Sequence, residues 1–137
     1  RQEGLRRLWV LSVNEQNLIT NAFQLVASNK EHAYYIDLVP KQDYHSRYCV
    51  LWYESMVTPP QLWTVSLTDG KCRIIYAKNI AGYIMSDFRC QRLNIPSRDG
   101  ITIIPVSVVH HNSVTFPCPV HLLGYGAYGH SLRLYLG

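Results

Sequence analysis

The residues best placed by type and spacing to do chemistry lie near one end of the sequence, in Gly124-Tyr125-Gly126-Ala127-Tyr128-Gly129. The glycines free the backbone for a sharp turn and for close approach of another segment or a ligand. An apolar run, Val120 to Leu123, leads into them and reads as a short buried strand. A tyrosine on such a turn presents its phenol at a strand end, where open α/β sheets keep their active sites. The same residues also read as a glycine-rich β-turn with surface tyrosines, and spacing alone leaves both readings open.

Other candidate chemistry is sparse. An α/β-type serine hydrolase needs a G-x-S-x-G elbow together with a base and a group that orients it. No such pentapeptide occurs; Ser131 follows Gly129-His130, but no second glycine follows it. His110 and His111 are adjacent, so on a strand they would face opposite sides and would not share a ligand position; a solvated loop is expected there. His32, His45, His121 and His130 have no carboxylate at a suggestive spacing. The four cysteines, Cys49, Cys72, Cys90 and Cys118, form no C-x-x-C pair. That spacing predicts no zinc site and signals no disulfide. Trp9, Trp52 and Trp63 lack interleaved basic residues, so they read as sheet-packing aromatics rather than a base-stacking platform. No metal, no cofactor and no nucleic-acid partner is expected.

The elements that must position these residues are strands. With 137 residues, 47% hydrophobic and 16% charged, the composition is that of a globular chain with a real core. The net charge of +4 is scattered rather than gathered into a basic tract. No apolar run approaches the ~20 residues that span a bilayer, and nothing at the start resembles a signal peptide. A cytoplasmic protein is expected, not a membrane one. The sequence opens on Arg1 without a methionine, so the true N-terminus is expected to be missing.

Leu5 to Val13 is a β-type stretch, and Leu18 to Ala27 favours strand over helix. Ser28 to Glu31 reads as a turn. His32 to Val39 stops at Pro40, and Lys41 to Ser46 is polar loop. Arg47 to Ser55 alternates with apolar residues on both faces, which predicts a strand covered on both sides. Thr58-Pro59-Pro60 breaks it. Gln61 to Leu67 and Lys71 to Ala77 flank Thr68-Asp69-Gly70, a strong hairpin signal. Asn79 to Asp87 is rich in breakers and marks a domain boundary. Phe88 to Ile95 and Ile101 to His110 are strands around a Pro96–Gly100 turn, and Pro105 suits an edge strand or a bulge. No long amphipathic helix is legible. Short strands at roughly ten-residue intervals indicate stacked antiparallel sheets.

Three segments together resemble one family. Tyr53-Glu54-Ser55-Met56-Val57-Thr58-Pro59-Pro60, then Asp99-Gly100 with Pro105-Val106-Ser107-Val108-Val109, then Leu123-Gly124-Tyr125-Gly126-Ala127-Tyr128-Gly129 resemble motifs of the prolyl oligopeptidase family of serine peptidases. They come in the family's order and at about its spacing, nearest to the oligopeptidase B branch. The resemblance implies that residues 1–80 are the last strands of a β-propeller. Residues 81–137 would be the first strands of an α/β-hydrolase sheet, truncated before the nucleophile. It also implies that Tyr125 is an oxyanion-stabilising donor. A phenol keeps its proton at neutral pH, and one such donor is typically worth about 3 to 4 kcal/mol in the transition state. Tyr128 is expected to be structural. Implied partners are short peptide substrates and the remainder of both domains, with the propeller gating access. The sequence departs from the family at Leu123, where a tyrosine is usual. Its Ile101-to-Pro105 run is one residue longer than is usual in the family, which predicts a bulge or a shifted register. A non-catalytic β-rich interaction module, or a degenerate truncated copy, is the competing expectation.

Overall fold

The computed structural model describes residues 6–25, 33–125, 127, 128, 132 and 136. The alternating runs become eight strands. β1 (Leu8–Val13) and β2 (Ile19–Leu25) form a two-stranded ribbon. β3 (Tyr34–Leu38), β4 (Tyr48–Ser55), β5 (Gln61–Ser66) and β6 (Cys72–Ala77) form a four-stranded meander. β7 (Phe88–Pro96) and β8 (Ile103–His111) form a second ribbon. Every pairing is antiparallel. Among the described residues the only helical segment is a single 3-10 turn, Met85–Asp87. The expected mainly-β chain is what forms. The turn predicted at Ser28–Glu31 lies outside the described residues.

The core sits on one face of the meander. Side chains alternate along a strand, and one alternate set, Ile36 on β3, Cys49 and Leu51 on β4 and Val65 on β5, is buried together with Tyr34, Leu25 and Ala33. The β1–β2 ribbon covers that face. Its cross-strand pairs Leu8↔Leu25 and Val10↔Phe23 turn inward onto the cluster, while Trp9, Leu11 and Val13 on the other side stay exposed. Full burial of an aliphatic side chain such as Leu51 stabilises by about 1.5–3 kcal/mol. The expectation that β4 is covered on both sides is corrected: Tyr48 is exposed and Val50 and Trp52 are only half-buried. The reason is that no layer packs on the second face among the described residues.

Polar contacts fasten the ribbon to the meander. Arg6 pairs with Asp37 and lies 5.1 Å from the centre of the Tyr35 ring. Arg7 donates to the Tyr34 hydroxyl. Burial pushes the Asp37 carboxyl up, but the Tyr35 hydroxyl and the Arg6 guanidinium outweigh it and leave it below 3.8. Across the meander, Tyr53 stacks on Trp63 at 4.4 Å and on Tyr34 at 6.0 Å. Buried Ser55 ends β4: its hydroxyl accepts from the Val57 and Thr58 N–H groups before Pro59-Pro60 breaks the strand.

The β5–β6 turn is locked from above. Gly70 has φ +70°, and a Cβ there would lie 2.9 Å from the Phe23 ring. Lys71 pairs with Asp69 at 2.9 Å. The outer strand β6 is exposed throughout, and its ladder with β5 slips at Leu62/Trp63. A slipped ladder and flanking Lys71 and Lys78 are devices that blunt a sheet edge.

Asn79–Asp87 is a connector rather than a free linker. The Tyr83 hydroxyl donates to Val57 O at 2.5 Å, and its ring stacks on Phe88 at 5.2 Å. Asn112 holds the connector from the ribbon side, donating from its backbone to Asp87 O at 2.7 Å and from its amide to Ser86 O at 2.6 Å. Buried Cys90 brings β7 to the Ala33 backbone, with which its thiol hydrogen-bonds.

In the second ribbon the ladder runs from Phe88↔His111 to Pro96↔Ile103 without interruption, with Pro105 opposite Asn94. Of the two readings of Pro105, edge strand or bulge, the ribbon takes the first: β8 has a partner on one side only among the described residues, and the ladder contains no bulge, because the chain is reversed within a turn before it begins. Ser97 N–H donates to Thr102 O at 2.8 Å, Gly100 takes φ +71°, and Asp99 Oδ1 accepts the Ile101 and Thr102 N–H groups. β8 starts at Ile103, leaving Ile101 exposed. Val120–Leu123 is also corrected. It is not a buried strand: Val120, Leu122 and Leu123 are 78%, 83% and 71% exposed, since no second strand lies beside it among the described residues.

Two measurements check this account. Replacing Leu51 by Ala should destabilise the folded protein by about 2–5 kcal/mol in urea unfolding. Gly70→Ala should cost more than Gly100→Ala, because both share left-handed strain of about 1–2 kcal/mol but only Gly70 meets a ring. The turn carboxylates give a pH test. Ser66 and Lys71 hold Asp69 at about 2, and Ser97 with the Ile101 and Thr102 N–H groups holds Asp99 at about 2. Both lie below the ordinary 3.8. Their stabilisation is full above that value and fades as pH falls from about 4 to about 2. Carboxyl NMR titration should show both midpoints below 3.8, and Ser97→Ala should move only that of Asp99 upward.

Candidate functional site

The tyrosine-glycine segment lies beyond the end of β8, past the irregular stretch 112–123. Past His111 the chain turns, with Val114 N–H donating to His111 O at 3.1 Å, and the Phe116 ring meets the edge of His110 at 5.2 Å. Beyond Pro119 the described backbone joins no ladder. Tyr125 is 56% exposed, so its ring is not sealed in a closed interior. Gly124 has open space where a Cβ would stand and is not among the left-handed glycines. The left-handed conformation falls instead on Tyr128, at φ 51° and 90% exposed, an unusual place for a bulky residue. Gly126, Gly129, His130 and Ser131 lie outside the described residues.

His110 lies in the strand expected to end on it, while the solvated loop expected at the pair is corrected, since the strand runs on through His111. His110 and His111 close β8 and are half-buried. They do face opposite sides, His110 toward Phe116 and His111 toward Phe88 at 5.2 Å. His111 Nδ1 accepts the Ser113 N–H at 3.1 Å and lies 2.7 Å from the Ser113 hydroxyl. With the N–H already donated to it, Nδ1 is the unprotonated nitrogen and the hydroxyl donates as well. This Ser–His contact spans two residues within one turn, and no hydrogen bond or ion pair described here brings a carboxylate to the ring. It closes the turn; it does not make a triad.

The cysteines give no second nucleophile. Burial pushes the Cys49, Cys72 and Cys90 thiols up, which keeps them in the weakly reactive protonated form. All four cysteines are free. Among the described residues no group of three or more His, Cys, Asp or Glu side chains could hold a metal ion, and no helix is long and apolar enough to cross a membrane.

Reasoning from sequence missed Tyr83. Its stack on Phe88 and its bond to Val57 tie the second ribbon to the meander. The available signal was an aromatic residue in a breaker-rich segment just before a strand.

No family model matches the chain. Protease 2 of Moraxella lacunata is 28% identical over 132 residues, which is 94% of this chain and 18% of that protein. Dipeptidyl aminopeptidase BI of Pseudoxanthomonas mexicana is 33% identical over 82 residues, 58% of this chain and 11% of that protein. Oligopeptidase B from Trypanosoma brucei, solved in a closed form with covalently bound antipain, superposes with a TM-score of 0.83 at 26% identity, covering 100% of this chain and 20% of the other. Oligopeptidase B from Leishmania major gives 0.80 at 25% identity, covering 98% and 19%. The chain spans about a fifth of the length of these relatives or less. In sequence over nearly the whole chain, and in fold over all of it, this chain is therefore similar to peptidases, with oligopeptidase B as its match in structure.

Proposed function

We propose that the chain is the junction segment of a serine-type oligopeptidase. In this reading residues 1–80 close a β-propeller and residues 81–137 open an α/β-hydrolase domain. The observation that carries it is the full-length superposition on oligopeptidase B at a TM-score of 0.83 with 26% identity. The four-stranded antiparallel meander supports it, since propeller blades are four-stranded sheets. So does the connector, which contacts both the meander and the second ribbon through Tyr83 and Asn112.

The parent enzyme would cleave short peptides by acyl transfer, in the cytoplasm, with the propeller limiting entry to small substrates. A neighbour that holds its ligand covalently fits a mechanism through a nucleophile. The nucleophile, base and orienting acid would come from segments outside this stretch. Tyr125 would supply the side-chain half of the oxyanion site. Its phenol would donate to the carbonyl oxygen as charge builds there, an interaction stronger in the transition state than in the ground state.

Tyr125→Phe in the full-length parent tests this. Turnover should fall by about 10²–10³ with KM nearly unchanged. The melting temperature should stay put, because Tyr125 is exposed and outside every ladder. Unchanged turnover would remove the assigned role. A fluorophosphonate probe should label the parent once and this chain alone not at all; labelled Ser113 would instead make the turn serine a nucleophile.

A further inference from the structure

The sequence contains two Asp-Gly steps, Asp69-Gly70 and Asp99-Gly100, and both form tight turns. Asp-Gly is the peptide step most prone to isomerise, because glycine has no side chain to hinder its own nitrogen. That nitrogen attacks Cγ of the aspartic acid. A C–N bond forms, a C–O bond breaks and water leaves, giving a five-membered succinimide. Water then adds at either ring carbonyl, yielding aspartate or isoaspartate. The net change is an isomerisation with no oxidation and no co-reactant beyond solvent water. A turn that holds the glycine N–H in a hydrogen bond must open before the nitrogen can reach Cγ.

The two turns match in most respects. Gly70 N–H donates to Ser66 O and Gly100 N–H to Ser97 O, each at 2.9 Å. The glycines have φ +70° and +71°. Both carboxylates are held ionised to about 2, so scarcity of the reactive acid form slows both alike and cancels from the comparison. They differ in what lies on the glycine. The Phe23 ring stands 2.9 Å from where a Gly70 Cβ would be, while nothing lies within 4 Å of that point at Gly100. Phe23 is itself packed against the core cluster. Opening the first turn disturbs core packing, whereas opening the second disturbs only the turn's own hydrogen bonds.

We propose that Asp99-Gly100 is the site of spontaneous isoaspartate formation in this protein, and that Phe23 protects Asp69-Gly70. Isoaspartate at 99 would displace the Oδ1 acceptor that holds the Ile101 and Thr102 N–H groups and would loosen the tip of the second ribbon.

The test is to age the folded protein at physiological temperature and neutral pH, then map its peptides by electron-transfer mass spectrometry. Isoaspartate should accumulate at Asp99 on the order of tenfold faster than at Asp69, and the two rates should converge in strong urea. Phe23→Leu, which keeps an apolar side chain but not the ring, should raise the rate at Asp69 and leave Asp99 unchanged. Asp99→Glu should abolish the product at that turn. Equal rates in the folded state, a faster Asp69, or a Phe23→Leu variant that folds yet leaves Asp69 unchanged would overturn the assignment.

Discussion

One layer of contact organises the described structure: the β1–β2 ribbon laid over a single face of the four-stranded meander. Ile36, Leu51 and Val65 are almost fully withdrawn from water only because Leu8, Val10, Phe23 and Leu25 cover them. A sheet of this size with one bare face has little apolar area to offset the entropy of ordering its strands. The ion pair from Arg6 to Asp37 and the Arg7 contact to Tyr34 set the angle of the ribbon, but burial supplies the driving force. The Gly70 turn depends on the same layer, since its conformation leaves room for the Phe23 ring.

The sequence made most strands legible because alternation is a local property. Tyr48–Ser55, Gln61–Ser66 and Cys72–Ala77 lie within a residue or so of their expected positions, with Asp69-Gly70 reversing the chain between the last two. What alternation does not carry is which face acquires a partner. Tyr48, Val50 and Trp52 look as apolar as Cys49, Leu51 and Tyr53, yet only the second set meets the ribbon. The same gap explains Val120–Leu123. An apolar run specifies a wish to be buried, while a strand also requires a neighbour with open hydrogen bonds.

The candidate site was legible through its order of motifs rather than through chemistry. Tyr125 was singled out by glycine spacing and family likeness, and the residue is 56% exposed. Of the glycine hinge, Gly124 is not left-handed while Tyr128 is, and Gly126 and Gly129 lie outside the described residues. The strand was expected to give way to loop at the histidine pair, but the β-branched run before it carries the ladder one residue further, to Phe88↔His111. Tyr83 escaped the reading by alternation because a side chain that bridges two sheets leaves no period in either.

Cys90 adds a practical property to this arrangement. The residue is 3% exposed, and its thiol hydrogen-bonds the backbone of Ala33, just before the first strand of the meander. An alkylating reagent reaches that sulfur only while the two bodies are apart. The rate of its capture is therefore a built-in clock for their separation, readable by mass without adding a probe.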